Sequence, residues 1–474
     1  MTTRKGPVGR SKDRGSDSSK TVAASSDTAS KQHGIIRDPV HDLIYIDHPV
    51  VWKVLNTGAM QRLKRIKQLG LAYHVYPGAD HSRFSHSLGV FHLSLRILDQ
   101  LAANSNLDVG PEQKLVVQLA ALLHDVGHGP FSHLFEAVLG EVWGGRADRT
   151  TKHDDWSKKI IMEDSELRSV LDNESPTLAR DIKDVISNNY KPNYLCSVVS
   201  SQFDADRLDY MLRDSMMTGV QYGKFDLNWI LRNLSLRSVT EFDVDREPHN
   251  AERIVIDARR GLSSLESYLL GNFYLYVHVY HHKTIQAAES NLLSILRCAL
   301  DCAGKAKYRK HFHPIILKLA KGDTLFVNEY LRLDDSVVLS WIENWSEAAF
   351  DPTLKDLCDR FLSRNLFKSV PLRDYTWSKS IEIYNEKKEQ LERNGLNPRY
   401  YLSLSDPSRV AYKNFFFLRR ENKLDQEIYL IDHKGEVVRY SEISEDYKIS
   451  RAVLEVRLDD NLLILPREIA AKSQ

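Results

Sequence analysis

The feature that most restricts this chain is the block Leu119-Ala120-Ala121-Leu122-Leu123-His124-Asp125-Val126-Gly127-His128-Gly129-Pro130-Phe131-Ser132-His133. An amphipathic helix over Glu112–His124 buries Leu115, Leu119, Leu122 and Leu123 on one face and ends in a His-Asp pair. Two polar groups at the end of a buried helix are costly to desolvate, and they persist when paired or bound to metal. The dipeptide alone is weak evidence, because a histidine at a helix C-terminus also complements the helix dipole. Its surroundings shift the balance. A glycine- and proline-containing turn brings backbone close to a ligand, Ser132 can cap the following helix, and His124, His128 and His133 fall within ten residues. His133 and Glu136 stand three apart on one helix face, so the carboxylate can fix one imidazole tautomer or favour the protonated ring.

Two further positions extend this group. His86 lies where a helix begins, in His81–His86, and Asp206 opens another helix after Phe203-Asp204-Ala205. His86, His124, Asp125 and Asp206 together form a mixed nitrogen and oxygen donor set for a divalent ion: Mn, Fe, Mg, Ni or Zn. A protonated histidine beside such an ion is the pairing that phosphoester hydrolysis needs, one group to activate the attack and one to protonate the leaving oxygen.

Around this constellation, helical periodicity predicts helices at Ala59–Leu69, Ser85–Ala102, Glu112–His124, Phe131–Leu139, His153–Met162, Leu178–Ile186, Ala205–Met217 and a long one over Gly261–Ala299. Strand signals are sparse before Arg253–Asp257; later ones are Glu427–Asp432, Glu436–Tyr440 and Val453–Leu465, with a turn at His433-Lys434-Gly435. The fold class expected is mainly α: a helical core followed by a smaller α+β region. Residues 1–33, rich in Ser, Thr, Lys and Arg, are expected as a disordered tail able to touch nucleic acid weakly. The expected division is 1–33 tail, 34–300 catalytic core and 301–474 helical and α+β region. The 65 basic against 64 acidic residues exclude a uniformly basic nucleic-acid binder. No apolar run suits a membrane span or a signal peptide, so no membrane partner and a cytoplasmic location are expected. Cys196, Cys298, Cys302 and Cys358 read as reduced core thiols.

The block resembles the HD-domain phosphohydrolases, whose ligand pattern H…HD…D matches His86, His124, Asp125 and Asp206. The likeness narrows to the deoxynucleoside triphosphate triphosphohydrolases of the sterile-alpha-motif and HD-domain type. It rests on Asp38-Pro39-Val40-His41, Gln61–Gly70, Tyr76-Pro77-Gly78-Ala79, His81–Gly89, His124–Phe135, Asp206–Asp214 and Tyr280-His281-His282-Lys283. The resemblance implies an enzyme that splits a dNTP, with dGTP as candidate preferred substrate, into deoxynucleoside and triphosphate. It implies that the four ligands hold the metal, that His128 contacts the α-phosphate or a second ion, and that His133, oriented by Glu136, is the general acid, with His153 beside them. Arg83 and Arg207 would grip the triphosphate, Arg207 standing where the family has lysine. Gln68, Leu69, Tyr210, Asp214 and Tyr280 match residues around the sugar.

The chain also departs from this family. Its members carry a sterile-alpha-motif domain ahead of the core, where this sequence has only the tail. Asn56, Gln61 and Lys64 stand where the family has an acidic residue, Gln and Arg that read guanine in an activator pocket, and Asn272 replaces a phosphate-binding arginine. Gln61, His282 and Lys283 retain activator-site chemistry, so a homo-oligomer, dimer or tetramer, is expected whose activity depends on nucleotide without strictly requiring GTP. The competing readings are an HD-type phosphodiesterase or nuclease acting on cyclic dinucleotides or single-stranded nucleic acid, and a non-catalytic nucleotide sensor or nucleic-acid-binding module. Tyr210, Asp214 and Tyr280 favour a free nucleotide, and His128, His133 and Glu136 argue for a catalyst.

Overall fold

A computed structural model of the protein describes residues 34–144, 149–242, 248–405, 408–413, 426–443 and 448–471, and the expected tail lies outside them. The architecture is mainly helical with small sheets. The central feature is the helix Arg83–Ser105, which packs against both Pro111–Leu123 and Ala205–Thr218. Each of the three has clear ends. Ser82 accepts a cap bond from Ser85 N, Pro111 occupies the first turn of the second helix, and Asp204 caps Ala205–Thr218 by accepting from Arg207 N. The Ala205–Thr218 helix stops at Gly219, whose φ of +81° suits glycine. His86, the His-Asp pair and Asp206 are thus carried on neighbouring elements.

Several expected elements are reshaped by tertiary contacts. The helix expected over Ala59–Leu69 ends at Arg62 and tightens into a short turn, Leu63–Arg65. Arg62 is buried and donates to the carbonyls of Leu333, Val126 and His128 at 2.7, 3.3 and 2.6 Å, while Lys67 N is bonded to Asp335. These contacts outweigh helical propensity. The helix expected from Phe131 starts at His133, because Phe131 and Ser132 adopt φ of 54° and 60°. Ser132 does not cap it; its Oγ instead accepts from Arg83 Nε at 2.8 Å. The long helix expected over Gly261–Ala299 divides into Ala258–Leu275, a wide turn at Tyr276–Tyr280, and Lys283–Ala303.

The strand Arg253–Asp257 belongs to a longer strand, Pro248–Asp257, paired antiparallel with Leu234–Phe242 and parallel with Tyr429–Ile431. Tyr429–Ile431 forms the expected hairpin with Val437–Arg439. Val453–Leu465 is not one strand: it begins inside the helix Lys448–Glu455 and continues as the strands Arg457–Asp459 and Leu462–Leu465. Leu462–Leu465, wholly buried, lies between Lys368–Pro371 and Ser403–Ser405. An N-terminal hairpin, Gly34–Asp38 with Asp42–Ile46, was not anticipated. All four cysteines are buried and free, and no described helix is long and apolar enough to cross a membrane.

Candidate active site

The packing of the three helices brings His86, His124, Asp125 and Asp206 together. His86 Nε2 lies 3.0 Å from Asp206 Oδ1 and 3.7 Å from Asp125 Oδ2. His124 Nε2 lies 3.4 Å from Asp125 Oδ1 and 3.7 Å from Asp206 Oδ1. Both rings are oriented from behind. His86 Nδ1 meets Asp209 Oδ2 at 2.8 Å, and His124 Nδ1 meets the Ala121 carbonyl at 2.8 Å. With only Nδ1 protonated, each Nε2 would turn a lone pair toward the cluster, the arrangement that second partners impose on metal-bound histidines.

This donor set fits a divalent cation. The buried Nε2 atoms of His86 and His124 have no aligned hydrogen-bond partner. Burial would strip the proton from His86, yet Asp206 and Asp209 outweigh it and lift the ring to about 10. Asp125 is buried and the Asp206 side chain is about a third exposed; His124 and His86 hold Asp206, and His124, Arg83 and His128 hold Asp125, below the usual carboxylate range. A carboxylate that stays charged when buried, as Asp125 does, requires positive charge beside it. His86, His124, Asp125 and Asp206 would hold the ion.

Asp209, which the sequence did not single out, is fully buried and organises the cluster from beneath. Besides His86 it accepts from His41 Nε2 at 2.7 Å and from Arg213 Nε and Nη2 at 2.8 and 3.0 Å. Arg213 in turn reaches Asp38. Gly89 makes this approach feasible, since a Cβ there would fall 1.7 Å from Asp209 Oδ1. The glycines of the His-Asp turn serve packing rather than ligand approach. A Cβ on Gly127 would strike His153 O and Ser157 N, and one on Gly129 would strike Phe135.

A second histidine group adjoins the first. His128, His133, Glu136 and His153 converge closely enough to share an ion or proton. Glu136 Oε1 lies 2.6 Å from His153 Nδ1 and 3.1 Å from His133 Nδ1. The His128 and His153 rings stack at 3.9 Å. Burial, Arg83 and His153 push His128 well below its ordinary value, so it is neutral at pH 7. Burial opposes charge on His153, but Asp154 and Glu136 raise it to about 10; Glu136, bonded to His133 and His153, falls to about 2 despite its burial. His133 remains largely exposed.

From these groups a cavity of about 500 Å³ extends past Arg83, Arg207, Gln68 and Leu69 to Tyr210, Asp214 and Tyr280. Arg83 is committed through Nη1 to Asp125, and Arg207 through Nε to the Ser201 carbonyl at 2.8 Å. Tyr280 donates to Asp214 Oδ2 at 2.6 Å, Asp214 Oδ1 meets His81 Nε2 at 2.8 Å, and Tyr210 donates to Asn272 at 3.0 Å. The expected activator residues stand apart from this cavity. Asn56 and Gln61 bond the carbonyls of Trp52 and Leu55, Lys64 lies over Phe84, and His282 caps the helix that begins at Lys283. No hydrogen bond among the described residues joins Asn56, Gln61 or Lys64 to His282 or Lys283.

Asp335 was missed. Its carboxylate accepts from Lys67 N at 2.9 Å and Phe131 N at 2.7 Å, tying the loop of Gln68 and Leu69 to the loop of Ser132 and His133. No motif marks it, because it lies about two hundred residues beyond the His-Asp pair and acts on backbone. Asp209 had a weak signal in its place three residues after Asp206 on one helix.

The HD domain family model matches residues 83–211, which hold all four clustered residues, and a Bacillus subtilis protein, the uncharacterised YwfO, is 33% identical over 435 residues, covering 92% of each chain. The chain belongs to the HD-domain family. The mouse deoxynucleoside triphosphate triphosphohydrolase SAMHD1 is 30% identical over 291 residues, 55% of this chain and 43% of that enzyme. Among solved structures, a phosphohydrolase from Bacteroides thetaiotaomicron superposes with a TM-score of 0.73 at 27% identity, covering 92% of this chain and 100% of the other. This HD protein is a phosphohydrolase related to SAMHD1, and its residues suit a divalent metal.

Proposed function

We propose that the protein hydrolyses deoxynucleoside triphosphates to deoxynucleoside and triphosphate. The observation that carries this reading is the cavity that runs from Asp125 and Asp206 of the four-residue cluster, past two arginines, to the walls made by Tyr210, Asp214 and Tyr280. Its size and mixed lining suit a small charged ligand rather than a polymer. A divalent ion held by His86, His124, Asp125 and Asp206 supplies Lewis acidity toward water and phosphoryl oxygen.

The remaining chemistry falls to the chain. Arg83 and Arg207 offset phosphate charge, and Arg83 also holds Asp125 in place. His128, neutral, is a hydrogen-bond partner for the α-phosphate. His153, at about 10, keeps its proton at pH 7 and serves as a fixed positive charge beside Glu136. His133, held by Glu136 and open to the cavity, is then the group that delivers a proton to the leaving 5′ oxygen. Tyr280, pinned by Asp214 and packed near Tyr210, places bulk where a 2′-hydroxyl would stand.

The test is incubation of the purified protein with each dNTP and NTP in Mn²⁺ or Mg²⁺, with products separated by chromatography. Deoxynucleoside plus triphosphate from dNTPs alone supports the reading. Monophosphate products, equal cleavage of NTPs, or activity confined to cyclic dinucleotides or single strands rejects it.

A further inference from the structure

The helix Lys283–Ala303 brings to the cavity two polar side chains that the proposed hydrolysis leaves unused: Gln286 and Glu289. They stand one turn apart on the same helix face. Ser405, on the strand Ser403–Ser405, bonds Gln286 Oε1 at 2.7 Å. This sets the orientation of the amide, whose Nε2 lies 3.3 Å from Glu289 Oε2. An amide nitrogen carries two protons, and one contact with Glu289 leaves the other for a ligand.

Glu289 is unusual. No Lys or Arg pairs with it among the described residues, and burial alone pushes its carboxyl up to about 7. A carboxyl placed in a cavity without a cation costs stability, which a ligand-binding role explains and packing does not. Ala72, Val279 and Ile285 line the same cavity and offer apolar contact to a flat ring.

Together the two side chains present a donor, Gln286 Nε2–H, next to a pair of acceptors, the Glu289 oxygens. A guanine edge shows the complement: the O6 acceptor, then the N1–H and N2–H donors. Adenine shows a donor and then an acceptor, cytosine a donor and two acceptors, and thymine an acceptor, a donor and an acceptor; none matches the ionised pair. Reading a base by hydrogen bonds along this edge is how pockets for unpaired bases gain selectivity.

We propose that Gln286 and Glu289 form the base-reading end of the cavity and select a guanine edge. This rests on the nucleotide reading of the site given above and names the base. Gln286 donates to O6, and Glu289 accepts from N1 and N2.

The experiment compares kcat/KM for dGTP, dITP and dATP in the full chain, in Glu289→Gln and in Gln286→Ala, with Mn²⁺ at pH 8, where the carboxyl is ionised. The wild-type protein should favour dGTP over dATP by roughly tenfold or more, as expected for a bidentate base contact. Glu289→Gln should lower kcat/KM for dGTP by about 10–100-fold, chiefly through KM, and change dATP by less than about threefold. dITP, which lacks the 2-amino group, should fall between. Equal losses on dGTP and dATP, or no preference in the wild type, would overturn the assignment. Gln286→Ala keeps the carboxylate and removes the O6 donor; it should weaken dGTP and dITP alike, and it remains informative if Glu289→Gln fails to fold. If no dNTP is cleaved, equilibrium binding of dGTP and dATP separates the two ideas. Selective dGTP binding lost in Glu289→Gln keeps the recognition and rejects the hydrolysis, whereas unselective binding rejects the recognition itself.

Discussion

Replacing Asp209 by Asn tests how the site is organised, because the change removes charge and acceptors while keeping shape. Asp209 receives four contacts: His41 and Arg213 Nη2 on Oδ1, and His86 and Arg213 Nε on Oδ2, all between 2.7 and 3.0 Å. An amide has one carbonyl oxygen, so whichever way it turns, its NH2 confronts an Arg213 donor and two of the four contacts are lost. Hydrogen bonds to charged groups contribute about 1.5–3 kcal/mol each, so a loss of about 3–6 kcal/mol of folding stability is expected. That agrees with the ~3–5 kcal/mol typical of breaking a buried ion pair. The His86 ring also loses its anionic support, and weakening such a support lowers metal affinity by about 10–100-fold. Denaturant unfolding measures the first quantity and calorimetric titration with Mn²⁺ the second. An Asp209→Asn protein with unchanged midpoint and unchanged Mn²⁺ affinity would refute the view that Asp209 holds His86 in its ligating tautomer.

Other outcomes follow from the same geometry. His133→Ala should retain metal and substrate binding while kcat falls by roughly 10²–10⁴, the range for a lost general acid; a change in KM alone would move the acid to His128 or His153. Asp335→Ala orphans the Lys67 and Phe131 amides, costing about 1–3 kcal/mol for each, and should lower activity although it touches no ligand residue; thermal unfolding and turnover measured together check this. For the Glu136–His153 pair, Glu136 is depressed from 4.5 to about 2, so its stabilising contribution is complete above pH 4.5 and disappears as pH falls through about 2. His153 is raised from 6.5 to about 10, so its contribution is complete below pH 6.5 and disappears as pH rises through about 10. The pair therefore stabilises most between pH 4.5 and 6.5, and Glu136→Gln should flatten Tm against pH on the acid side of that window and only in part on the alkaline side, where Asp154 still holds the His153 proton. Light scattering without nucleotide and with GTP, dATP and dGTP should show mass rising with nucleotide, since ligands that bind only the assembled state favour it; a fully active monomer under all conditions contradicts this.

The helices that carry the chemistry were legible in the sequence because their signals are local. Apolar spacing placed helices at Glu112–His124 and Ala205–Met217, close to the observed Pro111–Leu123 and Ala205–Thr218, without reference to the rest of the chain. His86, the His-Asp pair and Asp206 were legible as candidates because polar groups of these types beside buried helices are costly to desolvate, and the structure does bring them together. What the tertiary structure decided was the shape of the walls and the state of each charge. Arg62 broke an expected helix by reaching three distant carbonyls, and Phe131 and Ser132 took positive φ with the Phe131 amide bonded to Asp335. Asp209 became the hub beneath the ligands only because Gly89 on another helix leaves room for it. The reason is physical: a backbone amide, a carbonyl or a missing Cβ leaves no periodic trace in sequence, whereas burial and a partner many residues away set both the backbone path and the protonation of the groups that do the chemistry.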